Sequence, residues 1–279
     1  QSEAMKTQIE KSEEFEKLHR QGNCFVIPNP WDAGSARLLE RLGCQSLATT
    51  GAGFAFSQGK SDLSINAKDM LPHLRQLCAI SSLPISADLQ NGFGFTPEEA
   101  AMTIIEAAKT GIVGCSIEDA SGDPEHPFYD LGLAKERIQH AAAAARSLGF
   151  KFMLTARAEN YFYGNPDLAD TILRLQAYQD AGADVLFAPG VQSKTDIKSI
   201  LSSIDRPLNV LMGLRGEQLT FAELSELGVT RISLGGSLAR TAYSAMISAV
   251  KNIMTNGCFD YANDAISGKE LNAIFDRDA

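Results

Sequence analysis

The sequence predicts a (β/α)8 TIM barrel, and three observations carry that reading. Five helical stretches end on a glycine that leads straight into a short apolar strand: Gly43 before QSLAT, Gly111 before VGCSIED, Gly149 before FMLTARAE, Gly182 before DVLFAPG and Gly228 before RISLGG. The gaps between these glycines are 68, 38, 33 and 46 residues; the first spans about two units of roughly 34 residues, the size of a supersecondary repeat. Proline takes the place of the glycine at SSLPISADL and again at RPLNVLM. A repeated helix–stop–strand unit means parallel strands joined by helical crossovers. Eight of them fit 279 residues as a single domain, since about 250 residues is typical of one barrel. The fold places any active site at the C-terminal ends of the strands.

The elements follow in order. A polar helix over about Ser12–Arg20 opens the chain within an N-terminal segment 1–20; Gln1 to Ala4, ahead of Met5, read as a cloning remnant. The first strand is CFVIPNP. A helix from Ala33 to Leu42 follows, with Ala36, Leu38, Leu39 and Leu42 as its apolar stripe. After SLATTG comes GAGFAFSQGKSD, whose glycines and serines predict a loop. Asn66 suits the cap of a helix through Leu77. PISADL is the third strand, and Thr96-Pro97-Glu98-Glu99 a helix start with cap, proline and first-turn acids in place. GCSIED is followed by the turn-rich ASGDPEHPFYDLG and a helix containing Ala141 to Ala145. The remaining strands are FMLTARAE, DVLFAPG, LNVLM and RISLGG. A helix over about Ser237–Met254 precedes a tail, 255–279, whose Leu271, Ile274 and Phe275 form an apolar face that must bury against a partner subunit or the barrel bottom.

Composition narrows the functional classes. The net charge is −9 and the pI about 5.0; no cluster of Lys and Arg offers a footprint for nucleic acid. No apolar run is long enough for a membrane span, and the start has no apolar signal-peptide core. The five cysteines are scattered and odd in number, the pattern of reduced thiols in a cytoplasmic protein.

Polar residues at the strand ends are the candidate site. Asp88 and Glu118 end the third and fourth strands and Arg157 the fifth. Adjacent strands lie about 4.8 Å apart, so two carboxylates there repel unless a cation sits between them. Oxygen donors alone suit Mg²⁺, with Mn²⁺ as an alternative. The same residues could instead form a salt-bridge network that closes the barrel mouth. Arg157 suits an anionic substrate group, or a pair with Glu118 or Glu159. The Thr50-Gly51-Ala52-Gly53 turn offers backbone N–H groups for a carboxylate. Gly235-Gly236-Ser237 before a helix has the form of a barrel phosphate site. Asn209 lies on the seventh strand.

Taken together, these segments resemble the isocitrate lyase/phosphoenolpyruvate mutase superfamily, in its phosphonomutase-like branch, over roughly Gln21 to Phe275. Asn29-Pro30-Trp31-Asp32-Ala33-Gly34-Ser35-Ala36-Arg37 resembles its opening motif. Thr50-Gly51-Ala52-Gly53 with Gly59-Lys60-Ser61-Asp62 is similar to its carboxylate-binding turn and G-x-x-D segment. Asp88-Leu89-Gln90-Asn91-Gly92-Phe93-Gly94, Ser116-Ile117-Glu118-Asp119 and Thr155-Ala156-Arg157 resemble D-x-D/E-x-G-F/Y-G, I/V-E-D and A-R.

The resemblance implies a last helix swapped between subunits of a dimer or tetramer. It implies Mg²⁺ held largely through water by Asp88 and Glu118, with Gln90 acting through water. It implies a 2-oxo acid substrate and pyruvate-enolate chemistry. Thr50, Gly51, Ala52, Arg157, Asn209 and Gly235 would bind the substrate; Asp62 and Arg157 would act on it. Two departures stand out. Gln90 replaces an acid, losing a charge. The basic cysteine loop of the lyases is replaced by Gly122-Asp123-Pro124-Glu125-His126-Pro127-Phe128, which argues against an isocitrate or methylisocitrate lyase. The Lys-Lys-Asn-Ser loop of the true mutases is absent too. His126 is a candidate loop acid/base or a solvated side chain. The expected activity is therefore a Mg²⁺-dependent phosphonomutase-like reaction at a P–C bond. The alternatives are C–C bond cleavage of an oxaloacetate-like diacid, or oxo-acid binding without turnover.

Overall fold

The computed structural model describes residues 5–276, so Gln1 to Ala4 lie outside the described residues. Eight parallel strands form one sheet in the order β1-β8-β7-β6-β5-β4-β3-β2. They are β1 Phe25–Ile27, β2 Leu47–Ala48, β3 Ile85–Asp88, β4 Gly114–Glu118, β5 Met153–Arg157, β6 Val185–Phe187, β7 Leu208–Leu211 and β8 Arg231–Ser233. The β1–β2 seam lacks a ladder but is bridged: Ala48 N–H donates to Pro28 O at 3.0 Å, and Asn29 Nδ2 to Thr49 O at 3.3 Å. A helix follows each strand, as the repeat predicts. The crossovers include α2 Ala33–Arg41, α4 Ala67–Ile80, α5 Pro97–Ala108, α6 Leu131–Arg146 and α7 Leu168–Asp180. All five stop glycines adopt positive φ, from 78° at Gly149 to 108° at Gly111, the region that a Cβ disfavours.

Capping explains where the helices begin. Thr96 Oγ1 accepts from Glu99 N–H at 3.1 Å while the Glu99 carboxylate accepts from Thr96 N–H at 2.8 Å, a reciprocal box ahead of α5. Asn66 caps α4 as expected. Helix α1, Gln8–Leu18, starts earlier than the apolar pattern indicates because Thr7 and Glu10 form the same box. The larger departure is at GAGFAFSQGKSD, which opens as a helix, α3, Gly51–Ser57. Two glycines in its first turn lower intrinsic propensity. Packing overrides this: Thr50 Oγ1 caps Gly53 N–H at 3.0 Å, and a Cβ on Gly53 would stand 2.9 Å from Trp31 Cβ and 2.7 Å from Thr50 Cγ2.

Strand alternation sorts two environments. Cys115, Leu154, Leu186, Val210 and Ile232 face outward and join the main core beneath the helices. Inside the barrel, Phe15 of α1 packs with Phe25, Ile27, Val113, Met153 and Val185, plugging one end; each such side chain contributes about 1.5–3 kcal/mol on burial. Above that plug the interior turns polar. At the C-terminal end, α10 Ser237–Asn256 buries only Ala239, leaving Met246, Ile247, Val250 and Met254 exposed. The last helix, α11 Gly268–Phe275, turns its half-buried Leu271, Ile274 and Phe275 inward and lies against α2. Among the described residues no helix is long and apolar enough to cross a membrane, and the five cysteines are unpaired.

Candidate active site

A cavity of about 490 Å³ opens at the C-terminal ends of the strands. The ladder sets its wall: Asp88 lies opposite Ser116 across β3–β4, and Glu118 opposite Arg157 across β4–β5. Arg157 is the hub. Its Nε donates to Glu159 Oε1 at 2.6 Å, whereas Nη1 is 3.4 Å from Asp88 Oδ1 and Nη2 is 3.6 Å from Glu118 Oε2. The tight pair is therefore with Glu159, and the contacts to Asp88 and Glu118 are loose. Phe187 covers one guanidinium face, its ring centroid 5.1 Å from Cζ. Glu159 is pinned from behind: its N–H donates to Asp119 Oδ1 at 2.9 Å, and Asp119 is held by Arg174 at 3.1 Å and by the Tyr178 hydroxyl.

Three carboxylates around one guanidinium leave negative charge in excess. Burial, then the charge of Glu159, pushes Glu118 well above the usual carboxylate range despite Arg157. Burial raises Glu159 to about 7, with Arg157 opposing. Burial disfavours the charge on Arg157, but Glu159, Glu118 and Asp88 outweigh it and hold the guanidinium firmly charged.

The other predicted residues fall as follows. Thr50 caps α3, and the Gly51 N–H points at Asp88 Oδ2 across 3.4 Å; both line the cavity with Ala52. Gln90, at φ 53°, ties the β3 and β4 ends together: its N–H donates to Asp88 Oδ1 at 3.0 Å and its carbonyl accepts from Glu118 N–H at 2.9 Å. Its side-chain Nε2 is buried without a partner. Asp62 lies on the cavity wall; burial, then Asp88, raises its pKa, against a Leu63 N–H bond at 2.8 Å and Arg157.

Two residues are engaged elsewhere. Asn209 gives its amide to Ser233 Oγ at 2.9 Å and accepts from Arg231 at 2.8 Å. The Gly235 N–H donates to Asn29 Oδ1 at 2.9 Å, beside Leu234 N–H at 2.8 Å. His126 is not among the lining residues: its side chain is 81% exposed and pairs with Asp123 at 3.3 Å. Its loop is tied by an Ala120–Phe128 bridge and touches the rim through Phe128 and Tyr163, ring centroids 5.8 Å apart.

Sequence reasoning assigned no role to three residues that border or shape this cavity. Glu159 stands two residues after Arg157, so strand alternation already places them on one side. Arg231 alternates with Ser233 on the inward face of β8 in the same way. Asn29 gave no such signal, since its task is to bind two backbone N–H groups from a distant strand end. Among the described residues no group of three or more His, Cys, Asp or Glu side chains could hold a metal. The donors that converge, Asp88 and Glu118, are oxygen only, a set that suits Mg²⁺ with most of its waters and not a soft ion. The orphaned Gln90 amide and the surplus negative charge fit a cation and an anionic guest at this place.

The comparisons agree with this geometry. The family model described as phosphoenolpyruvate phosphomutase matches residues 15–254. A crystal structure from Burkholderia cenocepacia J2315, provisionally named a lyase/mutase, is 48% identical over 96% of each chain, with a TM-score of 0.94. A second structure from that organism, provisionally named a phosphonomutase, is 33% identical over 88% of this chain and 99% of its own, with a TM-score of 0.80. A Corynebacterium glutamicum protein named as a probable 2-methylisocitrate lyase is 27% identical over 83% of this chain and 76% of its own. That last name keeps the lyase class open within the family, so the argument against it rests on the altered loop alone. With its barrel, its strand-end acids and its arginine in place, the chain belongs to the phosphoenolpyruvate phosphomutase family of the isocitrate lyase superfamily.

Proposed function

We propose that this protein is a Mg²⁺-dependent enzyme that acts on a 2-oxo acid through a pyruvate-type enolate, with the P–C bond of a phosphonopyruvate-type substrate as its target. One observation carries the reading. Asp88 and Glu118 converge on a roomy cavity while the nearby arginine spends its tight bond on Glu159. An internal salt bridge built only for stability would close on all its acids. Here two acids stay loosely paired and one of them resists ionisation.

Bound there, Mg²⁺ would act as a Lewis acid on the oxo group. The chain's residues do the rest. Gly51 and Ala52 present backbone N–H groups at the start of α3 toward the substrate carboxylate. Gln90 Nε2 donates to a ligand oxygen, the partner it lacks inside the protein. Arg157 Nη1 and Nη2 offset charge that develops on the enolate oxygen, held in orientation by Glu159. Asp62 stands at the wall as an acid or base, its pKa raised by burial and Asp88. Phe162 and Tyr163 border the mouth and limit water. Asn209 and Gly235 act from behind, through Arg231 and Asn29.

A second reading, C–C bond cleavage of an oxaloacetate-like diacid, is favoured by the loop 120–131, which brings no cation to the cavity. Phosphoryl transfer calls for more positive charge than Arg157 supplies. A third, binding without turnover, rests on Gln90 in place of an acid. Three measurements separate them: ³¹P NMR with phosphonopyruvate, a coupled pyruvate assay with oxaloacetate and Mg²⁺, and the melting shift with oxalate, an enolate mimic. Phosphorus signal movement supports the first reading and pyruvate from oxaloacetate the second. A melting shift with neither product leaves the binding protein. We also propose that the exposed apolar face of α10 packs in a partner subunit, as a swapped helix would; sedimentation of the intact chain as a monomer would remove that.

A further inference from the structure

Arg231 enters the barrel from β8 and borders the same cavity, yet it is only 4% exposed. Its partners are all neutral. Nε donates to Asn209 Oδ1 at 2.8 Å, Nη2 to Thr155 Oγ1 at 2.8 Å, and Nη1 to His19 Nε2 at 3.3 Å. His19 belongs to the segment after α1, and its role there is fixed. Its Nδ1 donates to Phe15 O at 2.7 Å, which leaves Nε2 as the acceptor. Burial, then the Arg231 charge, draws its pKa down to about 3, so the ring is neutral. Burial also draws the Arg231 guanidinium down to about 9, which leaves it charged at neutral pH. Among the described residues no carboxylate pairs with it.

A buried cation with no counter-charge destabilises a fold, and an apolar side chain of that size would pack the space better. The interior around it is polar instead: Ser86, Ser116 and Ser233 line the cavity between Arg231 and the acids. The rim explains why a charge is useful there. Asp62, Asp88, Glu118 and Glu159, when ionised, carry four negative charges against Arg157. A divalent cation offsets two, leaving an excess of one. Any ligand with two acidic groups would enter against that excess. Arg231 cancels it, and its field in the low-dielectric interior is little screened by salt.

We propose that Arg231 is the second cation of this site, that it selects ligands bearing two acidic groups over those bearing one, and that His19 is its positioning residue. The inference rests on the oxo-acid reading above and narrows its substrate class to dianions. Isothermal titration calorimetry in Mg²⁺ with oxalate, a dianion, and pyruvate, a monoanion of similar size, tests it.

Arg231→Met is expected to weaken oxalate about tenfold or more and pyruvate less than about threefold, since a lost charge acts in proportion to ligand charge. Arg231→Lys should recover most of the oxalate affinity. His19→Phe should give an intermediate loss with the same preference. Equal losses for both ligands, or oxalate binding unchanged in Arg231→Met, overturn the proposal. If that variant fails to fold, Arg231→Lys decides alone, and loss of the oxalate preference despite the retained charge counts against the idea. Absence of oxalate binding by the wild-type protein removes the oxo-acid reading, and this inference with it; binding by the wild type combined with an indifferent Arg231 removes only the inference.

Discussion

Arg157 and Arg231 lie inside one barrel, three strands apart, and are held in opposite ways. Arg157 faces three carboxylates, bonds tightly to one and loosely to two, and is held charged by them. Arg231 faces an amide, a hydroxyl and a neutral imidazole, and burial alone acts on its pKa. The first arrangement has spare negative charge and loose distances, so it can accept a cation and rearrange. The second is fully committed in geometry and unbalanced in charge, so it can exert a field without moving. An active site for a charged intermediate needs both: groups that respond and a background that does not.

The sharpest way to break this contrast is to remove a responsive acid. Asp88→Ala is expected to abolish Mg²⁺-dependent oxalate binding, at least about a hundredfold, because one of only two converging donors is lost. Calorimetry with and without Mg²⁺ reads it. The side chain is 22% exposed and the fold does not depend on it, so the melting temperature should hold. Undiminished binding would remove Asp88 from the site and make the Arg157 cluster a closed salt bridge after all.

Glu159→Gln probes the tight pair. The charge-assisted bond at 2.6 Å becomes a neutral one, and Arg157 is then free to close on Glu118 and Asp88. Mg²⁺ affinity should fall about fivefold to tenfold by that competition. At the same time Glu118 loses the neighbouring charge that holds up its pKa, so the pH at which Mg²⁺ begins to bind should move down. A weaker affinity with an unmoved pH onset would mean that Glu159 only supports the fold.

Much of this was legible in the sequence, for physical reasons. The stop glycines and the β-strand alternation are local signals, and they placed eight strands and the polar ends of each. Asp88, Glu118 and Arg157 could be read because they end their strands. The helix after Thr50 could not, since its glycines argue against it and only packing on Trp31 reveals it. Nor could the commitments of Asn209 and the Gly235 N–H, which depend on Arg231 and Asn29, partners 22 and 206 residues away. Arg231 itself was visible as an inward position, but that its partners are neutral is a property of three separate elements meeting inside the barrel.

The smallest expected effect sharpens the contrast through pH. Glu159 is raised to about 7 and Glu118 well above 4.5, while both ionise near 4.5 in the unfolded chain. Between those values the native state holds more protons than the unfolded one, so these groups make the metal-free protein less stable as pH rises from about 4.5 to 7, and the loss then levels off. His19 and His73, lowered by burial to about 3 and 4, act the other way, removing stability as pH falls below 6.5. They do not border the acids, so their contribution cancels when the same sample is melted with and without Mg²⁺. What remains is the competition between protons and the cation at Glu118 and Glu159. The Mg²⁺-induced rise in melting temperature should therefore be small at pH 5.5 and greater by about 3 °C or more at pH 8, given about 2.7 kcal/mol of stabilisation at a hundredfold excess over Kd. A rise of equal size at both pH values would mean that the cation binds away from the buried acids, and Arg157 would then be as fixed in its surroundings as Arg231 is.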